Sequence, residues 1–156
     1  MRNLALAFTA LSVCMSVVLC PSAHATLGGG LDSVESDRVQ LKARTKAVVS
    51  THGGYSVHEM TLPGGTLVRQ YVSGSGTVFA VTWSGQFKPN LRQLLGAHFD
   101  TMVSTQTAAP KAGRSHLRIR SGDLVVESQG HLNLQYYGRA YLANELPAGL
   151  NLSNIE

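Results

Sequence analysis

The sequence predicts an α+β fold: an antiparallel sheet, a meander of three strands plus about three further strands, with one or two helices packed on one face. Three observations predict it. Short runs rich in β-branched and aromatic residues recur, "YSVHEMTL", "TLVRQYVS" and "TVFAVTWS" in the first half, "HLRIRS", "DLVVES" and "HLNLQYYGRAYLA" in the second. Tight-turn residues separate neighbours, "PGG" and "GSG" in the first set, "GD" and "QG" in the second, and turns this short join antiparallel strands. A helical stripe lies between the sets, and strand runs broken by single helices argue against a parallel sheet.

Residues 1–25 read as a secretory signal peptide. Arg2 supplies a positive start, residues 4–19 form an uncharged apolar run, Pro21 breaks it, and Ala23-His24-Ala25 places cleavage after Ala25. The run is shorter than the ~20 apolar residues a membrane span needs. Leu19 is too large a neighbour for lipoprotein processing at Cys20. No other segment could span, so no transmembrane segment is expected in the mature chain. Cleavage removes both cysteines, Cys14 and Cys20, which excludes thiol nucleophiles, redox dithiols and cysteine-ligated metals. What remains, residues 26–156, suits one small domain of about 130 residues, exported from a bacterial cell to the periplasm or beyond.

"LDSVESDRVQLKA" predicts a first helix, with Asp32 as N-cap and Glu35 three residues on, as in a capping box. In the meander, a three-residue Pro63-Gly64-Gly65 loop sets Glu59 opposite Arg69 and Met60 opposite Val68, one opposite-charge pair and one apolar pair. A turn centred on Gly74-Ser75 sets Val68 opposite Val81 and Val72 opposite Thr77. One face then carries Met60, Val68, Val72, Phe79, Val81 and Trp83, the expected core. After Pro89, a helix-favouring start, Leu91, Leu94, Leu95, His98, Phe99 and Met102 form one stripe that Gly96 weakens. "STQTAAPKAGRS" predicts a mobile loop near residues 103–115, and the tail "LPAGLNLSNIE" an irregular segment.

Two blocks carry a family resemblance. One is "VFAVTWSGQFKPNLRQLLG", with Trp83, Gly85, Pro89, Leu91 and the closing "LLG"; the other is "SGDLVVESQGHLNLQYYGRAYLANELPAGL", with Gly130-His131 and Gly138-Arg139-Ala140-Tyr141. In these the chain resembles the DUF2844 family, small exported proteins found mainly in proteobacteria. The resemblance implies export and a single domain of unknown function, and it supplies no catalytic residue. The family pattern has proline where Ala143 or Asn144 stands, which touches only the tail.

Motifs for chemistry are poorly matched. "GSGTVFAVTWSGQ" lacks the lysine and hydroxyl ending of a phosphate loop, and Ser84-Gly85 lacks the pattern of a nucleophile elbow. The histidines have no zinc-protease spacing. Asp37, Glu59, Asp123 and Glu127 read as cap, cross-strand, turn and solvent-face residues rather than the facing pair a glycosidase needs. No catalytic residue, metal or cofactor is expected. A net charge of +4, falling to about +3 without Arg2, is too mild for nucleic acid.

The candidate binding residues are Arg118, Arg120, Tyr137 and Arg139. Period two puts His116, Arg118 and Arg120 on one strand face and Leu117 and Ile119 on the other. Such a stripe suits an anionic surface, though charge that guards an edge strand explains it better. Tyr136 and Tyr137 must face opposite sides, and an exposed tyrosine beside Arg139 is interface composition. The expected function is a non-catalytic binding or accessory module for another envelope component, either an envelope protein or an anionic surface. A hydrolase acting on envelope material and a binder of anionic lipid or polysaccharide are the alternatives.

Overall fold

The computed structural model describes residues 27–44, 48–108, 116–130 and 135–155. The expected signal segment with Ala25, the basic residues Lys111 and Arg114, and His131 lie outside the described residues. Among those described, the helices are α1 (Leu31–Gln40), α2 (Leu91–Leu95) and α3 (Ala97–Ala108). The strands are β1 (Val48–His52), β2 (Tyr55–Thr61), β3 (Leu67–Ser73), β4 (Val78–Gly85), β5 (His116–Ser121), β6 (Leu124–Gly130) and β7 (Tyr136–Leu142). They form one antiparallel sheet in the order β1-β2-β3-β4-β7-β6-β5, so the fold is α+β as expected. Two meanders lie side by side and meet only where β4 pairs with β7.

The central strand β4 is buried from Val78 through Trp83, which suits its nearly unbroken apolar run. One face of the sheet is covered by the helices, where Met60, Val68, Val81, Trp83, Leu94, Leu95 and Met102 pack together. A second cluster, Val57, Tyr71, Phe79, Ala80, Val125, Tyr141 and Ile155, lies on the opposite face. There the C-terminal segment covers it with Leu146, Leu150 and Leu152, turning through two short 3-10 stretches, Ala143–Glu145 and Leu152–Asn154. At the seam the Trp83 ring lies over Gly138. A Cβ at that position would stand 2.5 Å from the ring and 2.6 Å from the Glu127 carbonyl oxygen, so only glycine fits.

The β2–β3 register is the expected one, with Glu59 opposite Arg69 and Met60 opposite Val68. The β3–β4 register is not. Val68 faces Trp83 instead of Val81, and Val72 faces Val78 instead of Thr77. The turn closes one residue later, with Ser73 donating its N–H to the Thr77 carbonyl. A bulge then inserts Phe79 between the pairs Val72–Val78 and Tyr71–Ala80. Two slips of one residue restore the parity of Val81 and Trp83, while Phe79 goes to the opposite face.

Four further expectations are corrected. β1 adds an edge strand that "VVSTH" does not announce, because its pattern is short and half polar. Helix α1 starts from Gly30 with no side-chain cap; Asp32 lies in its first turn, and Glu35 pairs with Arg38 rather than closing a capping box. α3 continues to Ala108, so residues 104–108 of the expected loop are helical, and 109–115 lie outside the described residues. Gln129 and Gly130 belong to β6 rather than to a turn. Gly96, at φ 51°, ends α2 and separates it from α3, as its place in the stripe suggests.

Asp37 is no cap. It points from α1 into the helix-covered core and is 1% exposed. Gln70 of β3 donates to one carboxylate oxygen at 3.0 Å, and Gln93 of α2 to the other at 2.5 Å. Burial pushes its carboxyl up to about 6, against the opposing pull of the two amide hydrogen bonds. This trio ties α1, β3 and α2 together where α1 itself buries only Ser33, Val34 and Asp37.

Candidate functional site

The face away from the helices is organised by cross-strand register. One row runs Glu59, Arg69, Thr82, Arg139, Glu127, Arg118 across β2, β3, β4, β7, β6 and β5. The next row toward one end of the sheet runs Leu67, Ser84, Tyr137, Gln129, His116. On the other side lies the apolar row Val57, Tyr71, Ala80, Tyr141, Val125, with Arg120 at its β5 end. The C-terminal segment packs over the apolar cluster and leaves the polar rows as an open groove. Its volume is about 480 Å³, and Ile155 forms part of its wall together with Arg69, Ser84, Glu127, Tyr137 and Arg139.

Glu127 is the hub of the groove. Arg139 donates to its Oε2 through Nε at 2.8 Å and also pairs with it through Nη2 at 2.8 Å. Arg118 approaches Oε1 from the neighbouring strand at 3.2 Å. Charge-assisted bonds of this kind fix both partners. Arg139 further donates through Nη1 to the Leu152 carbonyl at 2.9 Å, with the Ile155 carbonyl at 3.5 Å. It therefore clamps the C-terminal segment to the sheet. Arg69 holds Glu59 at 2.8 Å farther along the row. In the adjacent row the Tyr137 hydroxyl donates to Gln129 at 3.3 Å while the residue stays 48% exposed.

The structure thus gathers the four candidate residues on one face and gives them different settings. Arg118, with 84% of its side chain exposed, keeps most of its donors toward solvent. Arg120 is exposed and in no ion pair among the described residues. Tyr137 presents a ring on the groove. Arg139 is half-buried and committed to Glu127 and the tail. β5 is an edge strand, so its arginines also guard that edge. Of the other tyrosines, Tyr141 is buried, and Tyr136 lies on the opposite side of β7 from Tyr137, 6.0 Å below the Lys88 ammonium.

Glu127, Arg69, Ser84 and Gln129 complete the site and escape a reading of the sequence alone. Arg69 and Ser84 lie on β3 and β4 of the first meander and Glu127 and Gln129 on β6 of the second, so only the β4–β7 pairing brings the two sets together. The paired spacing of Glu127 and Arg139 on two predicted strands is the one signal that points toward them. Among the described residues, no group of three or more His, Cys, Asp or Glu is placed to hold a metal ion. No helix among them is long and apolar enough to cross a membrane.

Compared with known proteins, residues 23–155 match a family model described as a protein of unknown function, DUF2844. No curated protein and no solved structure matches the chain.

Proposed function

We propose that this chain, which belongs to the DUF2844 family, is an exported, non-catalytic binding module that engages another component of the bacterial cell envelope through its open groove. The observation that carries this reading is a groove lined by polar side chains already fixed to one another, with one exposed tyrosine ring among them. Such a surface is preorganised, and preorganisation lowers the entropy cost of binding.

The same geometry weighs against catalysis. The groove's carboxylate, Glu127, has both oxygens engaged by guanidinium groups, which leaves it poorly placed to move a proton. Ser84 would need a base, and the histidine of its row, His116, stands three strands away on β5, about 14 Å at the usual strand spacing. Export rests on residues 1–25 and the small-x-small site ending at Ala25.

The test is position-specific crosslinking in intact cells. A photo-reactive residue replacing Tyr137 is expected to capture the same envelope component repeatedly. The same residue replacing Val103, exposed on α3 behind the sheet, is expected to capture nothing in common with it. Capture from neither position, or identical capture from both, would overturn the groove as a binding site.

A further inference from the structure

Resting on that reading, the groove's chemistry narrows its ligand to one class. We infer that it takes a linear saccharide bearing carboxylate groups, with a sugar ring lying on Tyr137 and its acid groups held by Arg118 and Arg120.

Three features lead there. Recognition on this face must come from side chains, because the backbone groups of β4, β7 and β6 are spent on the sheet ladder. An extended peptide gains most of its affinity by adding to a free strand edge, and the strands under the groove, β4, β7 and β6, are paired on both sides, the free edge lying outside it at β5. Its polar groups are instead planar or hydroxylic: the Gln129 amide, the Glu127 carboxylate, the guanidiniums and the Ser84 hydroxyl. Those groups suit the many hydroxyls of a sugar.

The Tyr137 ring supplies the second feature. Its hydroxyl is tethered to Gln129, so the ring is held while 48% of the residue remains exposed. A tyrosine with one polar tip fixed and its body uncovered presents an apolar face at the floor of a wet groove. The C–H face of a pyranose fits such a surface; a lone phosphate or carboxylate has no use for it.

Charge is the third. The row and its β5 end carry Arg69, Arg139, Arg118 and Arg120 against Glu59 and Glu127, an excess of positive charge concentrated on β5. Arg118 and Arg120 point the same way about 7 Å apart, the two-residue repeat of a strand. Guanidinium binds carboxylate in a two-pronged fashion, so a chain with repeated acid groups complements this edge. A groove of about 480 Å³ falls within the range of small-molecule sites.

Calorimetry on the purified chain tests the assignment with three probes: polygalacturonate, the neutral glucan dextran, and polyglutamate. Polygalacturonate is expected to bind at least about tenfold more tightly than either of the others. Tyr137→Ala, and separately Arg118→Ala with Arg120→Ala, should each weaken it by about tenfold or more, while Tyr137→Phe should stay close to wild type. Dextran binding equal to polygalacturonate would overturn the acid groups. Polyglutamate binding equal to polygalacturonate, with Tyr137→Ala silent, would overturn the saccharide in favour of an acidic peptide. Should no glycan bind while position 137 still captures an envelope protein, the ligand class fails and the binding module stands. Should position 137 capture nothing either, both fail.

Discussion

Asp37 shows what one buried carboxyl does to a small domain. Its carboxyl sits at about 6 in the folded chain against 3.8 when solvated, so folding tightens its hold on the proton. The associated stability is greatest below the unfolded value and is lost as pH rises from about 4 through 6. His58 works in the opposite sense: burial lowers its pKa from 6.5, so its contribution is present above that value and is lost as pH falls below it. Chemical denaturation of wild type and Asp37→Asn at matched pH cancels the histidine and isolates the carboxyl. Between pH 4 and 7 the wild type should lose on the order of 2–3 kcal/mol relative to the variant; a difference that does not change with pH would contradict the buried setting. None of this is legible in "SDRVQ", where Asp37 reads as a cap residue. Its burial depends on Gln70 and Gln93, far away in the chain. Tyr137 and Arg139 are legible, because strand parity alone puts them on one face.

At the scale of elements, the C-terminal segment is held on the sheet by apolar packing and by Arg139. Truncating that arginine leaves Glu127 with one weaker partner and the Leu152 carbonyl unclamped. Arg139→Ala should therefore cost about 1–3 kcal/mol and speed amide exchange in residues 146–155, measured by mass spectrometry. Arg139→Lys should rescue little, since one ammonium cannot span the carboxylate and the tail carbonyls together. Unchanged exchange in the tail would show that packing alone holds it. Element by element, legibility follows the range of the interaction. The β2–β3 register is readable because a three-residue loop and one charge pair determine it locally. The β3–β4 register is not, because the Phe79 bulge is favoured by an aromatic cluster on the far face, where Tyr55, Tyr71 and Phe79 meet in tilted and edge-to-face contacts with centroids 6.0–6.3 Å apart. The groove inherits the same limit: its halves come from two meanders whose adjacency no local pattern encodes.

For the whole molecule, the proposed export and the absence of cysteine after residue 25 go together. Protein recovered from outside the cytoplasm should begin at Thr26 by mass spectrometry, and its thermal unfolding should not respond to reductant; an intact Met1 terminus would overturn the cleavage site. The seam between the meanders carries a further consequence. β7 pairs with the middle strand β4, yet it is the last strand to be synthesised. Until residues 136–142 arrive, β4 is a bare edge, apolar from Val78 through Val81 with Trp83 beyond. An uncovered strand of that kind invites pairing with its copy on a neighbouring chain. The incomplete polypeptide is thus far more prone to aggregation than the finished one.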